Sequence, residues 1–251
     1  MQYIYGIHAV DSLLRKNPRS VQRLWVQQGR EDKRIASLLE LAQNQGVPVA
    51  REPRRDLDAM VKGRHQGVVA ETLDEPHHGG SQHANLWQEA DLLRMVDEKD
   101  GPVLILVLDG VTDPHNLGAC IRSADAAGVD AVVVPKDKSA DLTPTARKVA
   151  CGAAEVMPFA RVTNIARTLD ALKARNVWVF GTAGEAEKTI YDNDLTGPMA
   201  LVMGAEGTGL RRLTREHCDF LVKLPMSGSV SSLNVSVATG VCLFEVLRQR
   251  R

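Results

Sequence analysis

What the chain lacks narrows its function before any motif is read. Its 251 residues hold no run of about eighteen apolar residues, the length a membrane-spanning helix needs, so no membrane partner is expected. The opening residues, Met1 to His8, show no basic stretch leading into an apolar one, and no signal peptide is expected. The four cysteines, Cys120, Cys151, Cys218 and Cys242, are widely spaced, without a CxxC pair or a Cys/His ligand spacing. That argues against a disulfide framework and against zinc, and points to a reduced, cytoplasmic protein without a metal. Net charge is missing too: 31 Lys/Arg balance 31 Asp/Glu, which speaks neither for nor against a nucleic-acid partner. GxxxxGKS, GxxxxGKT and GxGxxG do not occur, so neither a P-loop nor a dinucleotide fingerprint is available.

The distribution of charge says more than its sum. Residues 1–73 carry 12 Lys/Arg against 8 Asp/Glu, and residues 74–100 carry 2 against 7. A basic first segment is compatible with a polyanion, and a solvated surface produces the same imbalance. Its patterning alternates: helix over 8–14, strand over 21–26, a helix burying Ile35, Leu38, Leu39 and Ala42, strand over 47–50, helix over 56–61 and strand over 67–71. A small α/β domain over 1–73 is expected. Arg51, Arg54 and Arg55, with Lys62, Arg64 and His65, cluster late in it as candidate phosphate contacts, a solvated loop being the alternative. Residues 74–84, with Pro76, Gly79, Gly80 and the histidines His77, His78 and His83, read as a solvated linker rather than a metal site.

A helix is expected from Leu86 through Val96, closed by Gly101 and Pro102, so that 74–100 forms a linker and leading helix. Over 101–251, apolar strands at 103–108, 131–134, 156–159, 177–180, 200–203 and 221–224 alternate with helical patterns, notably 117–127, 146–154 and 165–174. Strands that are apolar throughout and separated by helices imply a mainly parallel sheet covered on both faces. Ligands on such sheets bind beyond the carboxyl ends of the strands.

Those strand ends run into small-residue loops. The first continues through Asp109, Asp113 and Asn116 to Arg122; turn formation by the two aspartates, helix capping by Asn116 and a surface ion pair for Arg122 explain each of these residues structurally. The 200–203 strand leads to Gly204-Ala205-Glu206-Gly207-Thr208-Gly209, three glycines around one carboxylate, as if a ligand approached the backbone closely. Residues 180–185 are again glycine-rich. In 220–237 a short strand precedes an uncharged Ser/Gly loop and a helix, whose apolar positions Leu233, Val237, Leu243, Phe244 and Leu247 fall near one face. Spacing alone stops at an α/β enzyme or ligand-binding domain with glycine-rich loops.

Three segments carry a resemblance. Asp113-Pro114-His115-Asn116-Leu117-Gly118-Ala119-Cys120-Ile121-Arg122, Val202-Met203-Gly204-Ala205-Glu206-Gly207, and Leu224-Pro225-Met226 through Ser232-Leu233-Asn234-Val235-Ser236-Val237-Ala238 resemble, in order and spacing, the motifs of the SpoU/TrmH branch of the SPOUT RNA methyltransferases. The opening Ile4-Tyr5-Gly6-Ile7-His8-Ala9-Val10 and the segment after it are similar to the RNA-binding domain of the members acting on 23S rRNA; the His/Gly-rich linker is longer than usual. The resemblance implies a C-terminal trefoil knot and S-adenosylmethionine as methyl donor. Matched cofactor positions are Thr182, Gly184, Gly204, Leu224, Met226 and Leu233; matched polar positions at the reacting centre are Asn116, Arg122, Glu206, Ser232 and Asn234. It further implies methylation of a guanosine ribose 2′-hydroxyl in 23S rRNA, free or in a large-subunit assembly intermediate, by a homodimer; the stripe Val237, Val241, Phe244 and Leu247 of the last helix is the candidate contact surface, with burial within one subunit as the alternative. A tRNA ribose methyltransferase and a non-catalytic RNA-binding or ribosome-assembly protein are the alternatives.

Overall fold

The computed structural model describes residues 2–61, 65–72 and 85–251, the side chains of Gln2 and Lys16 excepted. Lys62, Arg64 and the histidine-bearing linker of 74–84 lie outside the described residues. The chain divides into two compact units, Met1–Asn85 with Cys151–Val156, and Leu86–Ala150 with Met157–Arg251.

The first unit contains β1 (Gln2–Tyr5), α1 (Ile7–Lys16), β2 (Val21–Gln27), α2 (Lys33–Asn44), β3 (Val49–Glu52), α3 (Arg54–Met60) and β4 (Val68–Thr72). The strands pair in the order β1-β4-β2-β3, with β4 antiparallel to both neighbours and β3 parallel to β2. Alternation along the strands sends Leu24, Val26, Val68 and Ala70 into one core with Val10, Leu14, Ile35 and Leu38 of α1 and α2. Trp25 and Val69 point the other way, against Leu57 and Val61. Helix α2 starts where Asp32 accepts the N–H groups of Arg34 and Ile35, satisfying donors that the first turn leaves unpaired. Strand β1 has no counterpart among the sequence expectations.

The second unit comprises β5 (Leu86–Trp87), α4 (Glu89–Glu98), β6 (Leu104–Asp109), α5 (Pro114–Ala126), β7 (Ala131–Pro135), α6 (Pro144–Val149), β8 (Phe159–Val162), α7 (Ile165–Lys173), β9 (Trp178–Thr182), β10 (Lys188–Thr189), β11 (Met199–Gly204), α8 (Arg212–Glu216), β12 (Phe220–Lys223) and α9 (Val235–Gln249). Eight strands form one sheet, β10-β12-β9-β11-β6-β7-β8-β5, in which every pairing is parallel. The expected parallel sheet is therefore present. Every residue of β6 is buried, as a strand covered on both faces requires. Ile105, Val107, Val133, Val179 and Val202 pack with Leu92 of α4 and with Leu169 and Leu172 of α7. Helices α5 and α9 pack on each other, and α9 also packs on β11.

Several boundaries differ from those expected. Leu86 and Trp87 form an edge strand against Phe159 and Ala160 rather than the start of a helix; α4 begins at Glu89, where Gln88 and Asp91 cap reciprocally. The strand expected at 156–159 lies at Phe159–Val162. The helix expected over 146–154 ends at Val149, because Cys151 and Gly152 adopt φ of 52° and 94°, which a right-handed helix cannot accommodate. In α9, Leu243 and Val246 are buried while Val237, Val241 and Phe244 are exposed, so the apolar positions expected on one face divide between core and surface.

The chain visits the sheet out of order. After β8 it crosses to β9 and β10, then returns to place β11 between β9 and β6, and finally β12 between β10 and β9. The carboxyl ends of β9, β11 and β12 are thereby brought side by side at the point where strand order reverses.

Candidate functional site

A cavity of about 430 Å³ opens at those three strand ends. Its walls come from Thr182 to Glu185 after β9, Met203 to Gly209 after β11, Val222 to Leu224 with Met226 after β12, and Ser231 to Leu233 leading into α9. All six sequence-expected cofactor positions, Thr182, Gly184, Gly204, Leu224, Met226 and Leu233, line it, as do Glu206 and Ser232.

The loop after β11 owes its shape to glycine. Ala205 and Gly209 exchange backbone hydrogen bonds of 3.1 and 2.9 Å, folding the loop back on the end of its strand. A Cβ on Gly204 would fall inside the backbone of Gly209 and Leu210, and Gly207 and Gly209 adopt φ of 80° and 67°. Close approach at Gly204 is thus made by the loop itself. Gly184, by contrast, faces open space.

Glu206 is exposed at the tip of this loop, and a chain of hydrogen bonds joins it to the other two motifs. Asn116 Nδ2 donates to Glu206 Oε2 at 3.3 Å, and Asn234 Nδ2 donates to Asn116 Oδ1 at 3.0 Å. Asn234 Oδ1 in turn accepts from the backbone N–H of Ser236 at 2.9 Å and from its hydroxyl at 2.6 Å. Asn116 is therefore not the cap of α5. Asp113 takes that place, accepting the His115 N–H at 2.9 Å, a bond that also holds its carboxyl below the usual carboxylate range. Asn234 caps α9 while reaching Asn116, so one side chain serves both tasks. Asp109 is not a simple turn former either. Fully buried at the end of β6, it accepts the Arg211 N–H at 2.9 Å, with Arg211 Nη1 3.3 Å from its other oxygen at an angle that makes no hydrogen bond.

The cavity is mostly neutral. Thr182 donates its hydroxyl to the Val202 carbonyl at 3.1 Å, and Glu185 is ion-paired with Arg215 of α8. Burial pushes the Cys242 thiol up to about 12, leaving an uncharged wall. Ala238 and Cys242 are lining residues that sequence reasoning missed; with Val235 their spacing marks one face of α9, a signal available but outweighed by the larger residues beside it. Such a site offers aliphatic contact and strand-end backbone groups, and no cluster of cations for phosphate.

Arg122 lies on the exposed side of α5 and does not line the cavity. In the first unit, Arg51, Arg54 and Arg55 are exposed on β3 and α3. His65 is placed otherwise than a phosphate contact requires: it is 4% exposed, its Nδ1 accepts from the Gly67 N–H at 2.9 Å, and its Nε2 donates to Asp58 at 2.8 Å. Both ring nitrogens are engaged inside the protein. Among the described residues no group of three or more His, Cys, Asp or Glu is placed to hold a metal ion, and no helix is long and apolar enough to cross a membrane.

Comparison with known proteins agrees with this geometry. Residues 103–244 match the SpoU rRNA Methylase family, and residues 3–75 match the RNA 2′-O ribose methyltransferase substrate binding domain. The chain is 61% identical to the 23S rRNA (guanosine-2′-O-)-methyltransferase RlmB of Pseudomonas putida, over all of this chain and 98% of that protein. It is 56% identical to RlmB of Escherichia coli K12, over 99% of each. Among solved structures it resembles the SpoU methyltransferase AviRb of Streptomyces viridochromogenes in complex with AdoMet, at 26% identity and a TM-score of 0.67, covering 99% of this chain and 90% of that one.

Proposed function

This chain belongs to the SpoU rRNA methylase family, and from that membership we propose that it methylates the ribose 2′-hydroxyl of a guanosine in 23S rRNA, using S-adenosylmethionine. The observation that carries this reading is the hydrogen-bonded chain Ser236–Asn234–Asn116–Glu206, which ties all three motif loops together at the cavity, with Glu206 among its lining residues. Full-length identity to RlmB proteins supports the choice of substrate.

The bound cofactor supplies an electrophilic methyl group on a sulfonium centre. Leu224, Met226, Leu233 and the face of Ala238 and Cys242 would hold its apolar parts, with the strand-end backbone meeting the polar ones. A ribose hydroxyl is a poor nucleophile at neutral pH and must be aligned before it reacts. Asn116 and Asn234, each fixed by a partner, and Ser232 are the groups that would orient it, with Glu206 anchoring Asn116. Arg122 would clamp an RNA phosphate and stabilise the developing alkoxide, the proton leaving to that phosphate or to water, since a guanidinium holds its own proton too firmly. Near-normal turnover in Arg122→Lys would remove any role for the planar fork.

The same reading includes a homodimer joined through the exposed Val237, Val241 and Phe244 of α9, in which Arg122 would act beside a second copy's cavity. Sedimentation as a monomer at micromolar concentration would end that part of it. The late placement of β11 and β12 between earlier strands supports a trefoil knot in 101–251, with 1–73 as the RNA-binding domain carrying Arg51, Arg54 and Arg55. The same reading, with rRNA as substrate, has the protein work in the cytoplasm. The deciding experiment is incubation with labelled S-adenosylmethionine and total RNA from cells lacking the gene, followed by mapping of the label. Label in a 23S rRNA guanosine ribose is expected; label confined to tRNA, or none, overturns the proposal.

A further inference from the structure

The first unit holds a second cavity, of about 320 Å³, within the range of roughly 300–1,000 Å³ that small-ligand pockets occupy. Its walls are the reverse of neutral: Gln27 at the end of β2, Arg30, Arg54 and Asp58 of α3, and His65 and Gln66 from the turn before β4. The construction is specific. Buried His65 accepts from the Gly67 N–H, so that its other nitrogen is set to donate to Asp58 Oδ1 at 2.8 Å, which fixes the carboxylate. Asp58 Oδ2 stands 3.7 Å from Arg54 Nε, beyond hydrogen-bond length. Arg30 is immobilised by Asp32 Oδ2 at 2.7 Å and by the Gln66 carbonyl, and Gln66 itself holds a left-handed φ of 49°. A non-glycine residue kept in that conformation marks a turn whose shape its surroundings enforce.

We propose that this pocket takes one unpaired guanosine of the RNA substrate, a nucleotide other than the one methylated. The inference rests on the RNA-methyltransferase reading and adds a base-specific contact to it. Asp58 decides the ligand class. A carboxylate opposes a bare phosphate and demands a donor, and guanine alone among the four bases presents two adjacent donors, N1–H and N2–H, on one edge. Adenine and cytosine would turn a ring-nitrogen acceptor toward Asp58, and uracil would flank its one donor with two carbonyls. Gln27 can donate to O6, while Arg54, ion-paired with Asp58 but with 72% of its side chain exposed, can turn its outer face onto the phosphate.

The test titrates the full chain with GMP, AMP, CMP and UMP, the other cavity being filled with saturating S-adenosylhomocysteine, and reads binding by calorimetry. GMP is expected to bind at least about tenfold tighter than the others, with Asp58→Asn abolishing the preference and Arg54→Ala weakening GMP roughly tenfold. Because Asp58 also holds His65, the exposed Arg54 provides a second variant that leaves the core intact. In the methylation assay, Arg54→Ala is expected to raise KM for rRNA far more than it lowers kcat. Equal binding of the four nucleotides, absence of GMP binding, full displacement of GMP by inorganic phosphate, or an unchanged preference in Asp58→Asn overturns the proposal. The titration does not depend on methyl transfer, so failure of the enzymatic reading shows separately, as a wild-type protein that labels no RNA.

Discussion

Two cavities among the described residues are built on opposite principles. The one in the sheet unit is walled by backbone, glycine and aliphatic side chains, with its thiol neutral and one of its carboxylates, Glu185, ion-paired. The pocket in the first unit is walled by two arginines, an aspartate, a histidine and two glutamines. In the first case the path of the main chain does the recognising, so the residues that matter are those that let the chain take that path. In the second, side-chain charge and hydrogen-bonding do it, and the fold only supplies the platform. Mutations and solution conditions should separate them accordingly.

The largest separation is expected from Gly204→Ala. One added methyl cannot fit against Gly209 and Leu210, so the loop after β11 must rearrange. Overpacking of this kind costs about 1–3 kcal/mol of stability, and calorimetry should show cofactor affinity falling by roughly a hundredfold or more, given loss of the preorganised wall. GMP binding in the other unit should be untouched. Next in size is Asn116→Ala, which breaks the link between Glu206 and Asn234 without touching the cavity wall; kcat should fall roughly 10- to 100-fold through misalignment while cofactor affinity holds. A comparable loss of cofactor affinity would place Asn116 in the wall after all.

Salt should divide the sites as well. Raising it from about 50 to about 200 mM should weaken rRNA binding by tenfold or more, as phosphate contacts release counterions. S-adenosylmethionine affinity, resting mainly on aliphatic and backbone contacts, should change less than about twofold. The smallest effect concerns pH and neither pocket. Glu245 of α9, hydrogen-bonded by Arg248 and Gln249, has its carboxyl lowered to about 2. A folded value below the unfolded one means its stabilisation is complete above the unfolded value, 4.5, and is lost as pH falls toward 2. Glu245→Gln should therefore lower thermal stability near neutrality, where the ionised carboxylate contributes in full, and flatten the acid limb of the profile so that variant and wild type converge as pH falls toward 2.

The wall of the cavity at the strand ends was more legible in the sequence than the second pocket. Thr182, Gly184, Gly204, Leu224, Met226 and Leu233 sit in contiguous motifs at strand ends, where a parallel sheet gathers its loops, and all six line the cavity. The pocket of the first unit draws on Gln27, Arg30, Arg54, Asp58 and His65, scattered across 39 positions of ordinary polar surface composition, with nothing in their spacing to join them. The capping explanation of Asn116 fails for a related reason. A residue near the start of a helix is explained locally as a cap, yet its partners lie 90 and 118 residues away.

What the sequence determined by itself was therefore local and periodic: apolar runs that must be buried on both faces, the glycines that permit a tight return after β11, and the order of three motifs. Only the tertiary structure decided which polar groups meet. Strand order is set by packing over the whole sheet, and late placement of β11 and β12 is what carries Glu206 and Asn234 to Asn116. A hydrogen bond between such distant residues leaves no trace in spacing, because its geometry belongs to the assembled sheet and not to any one segment.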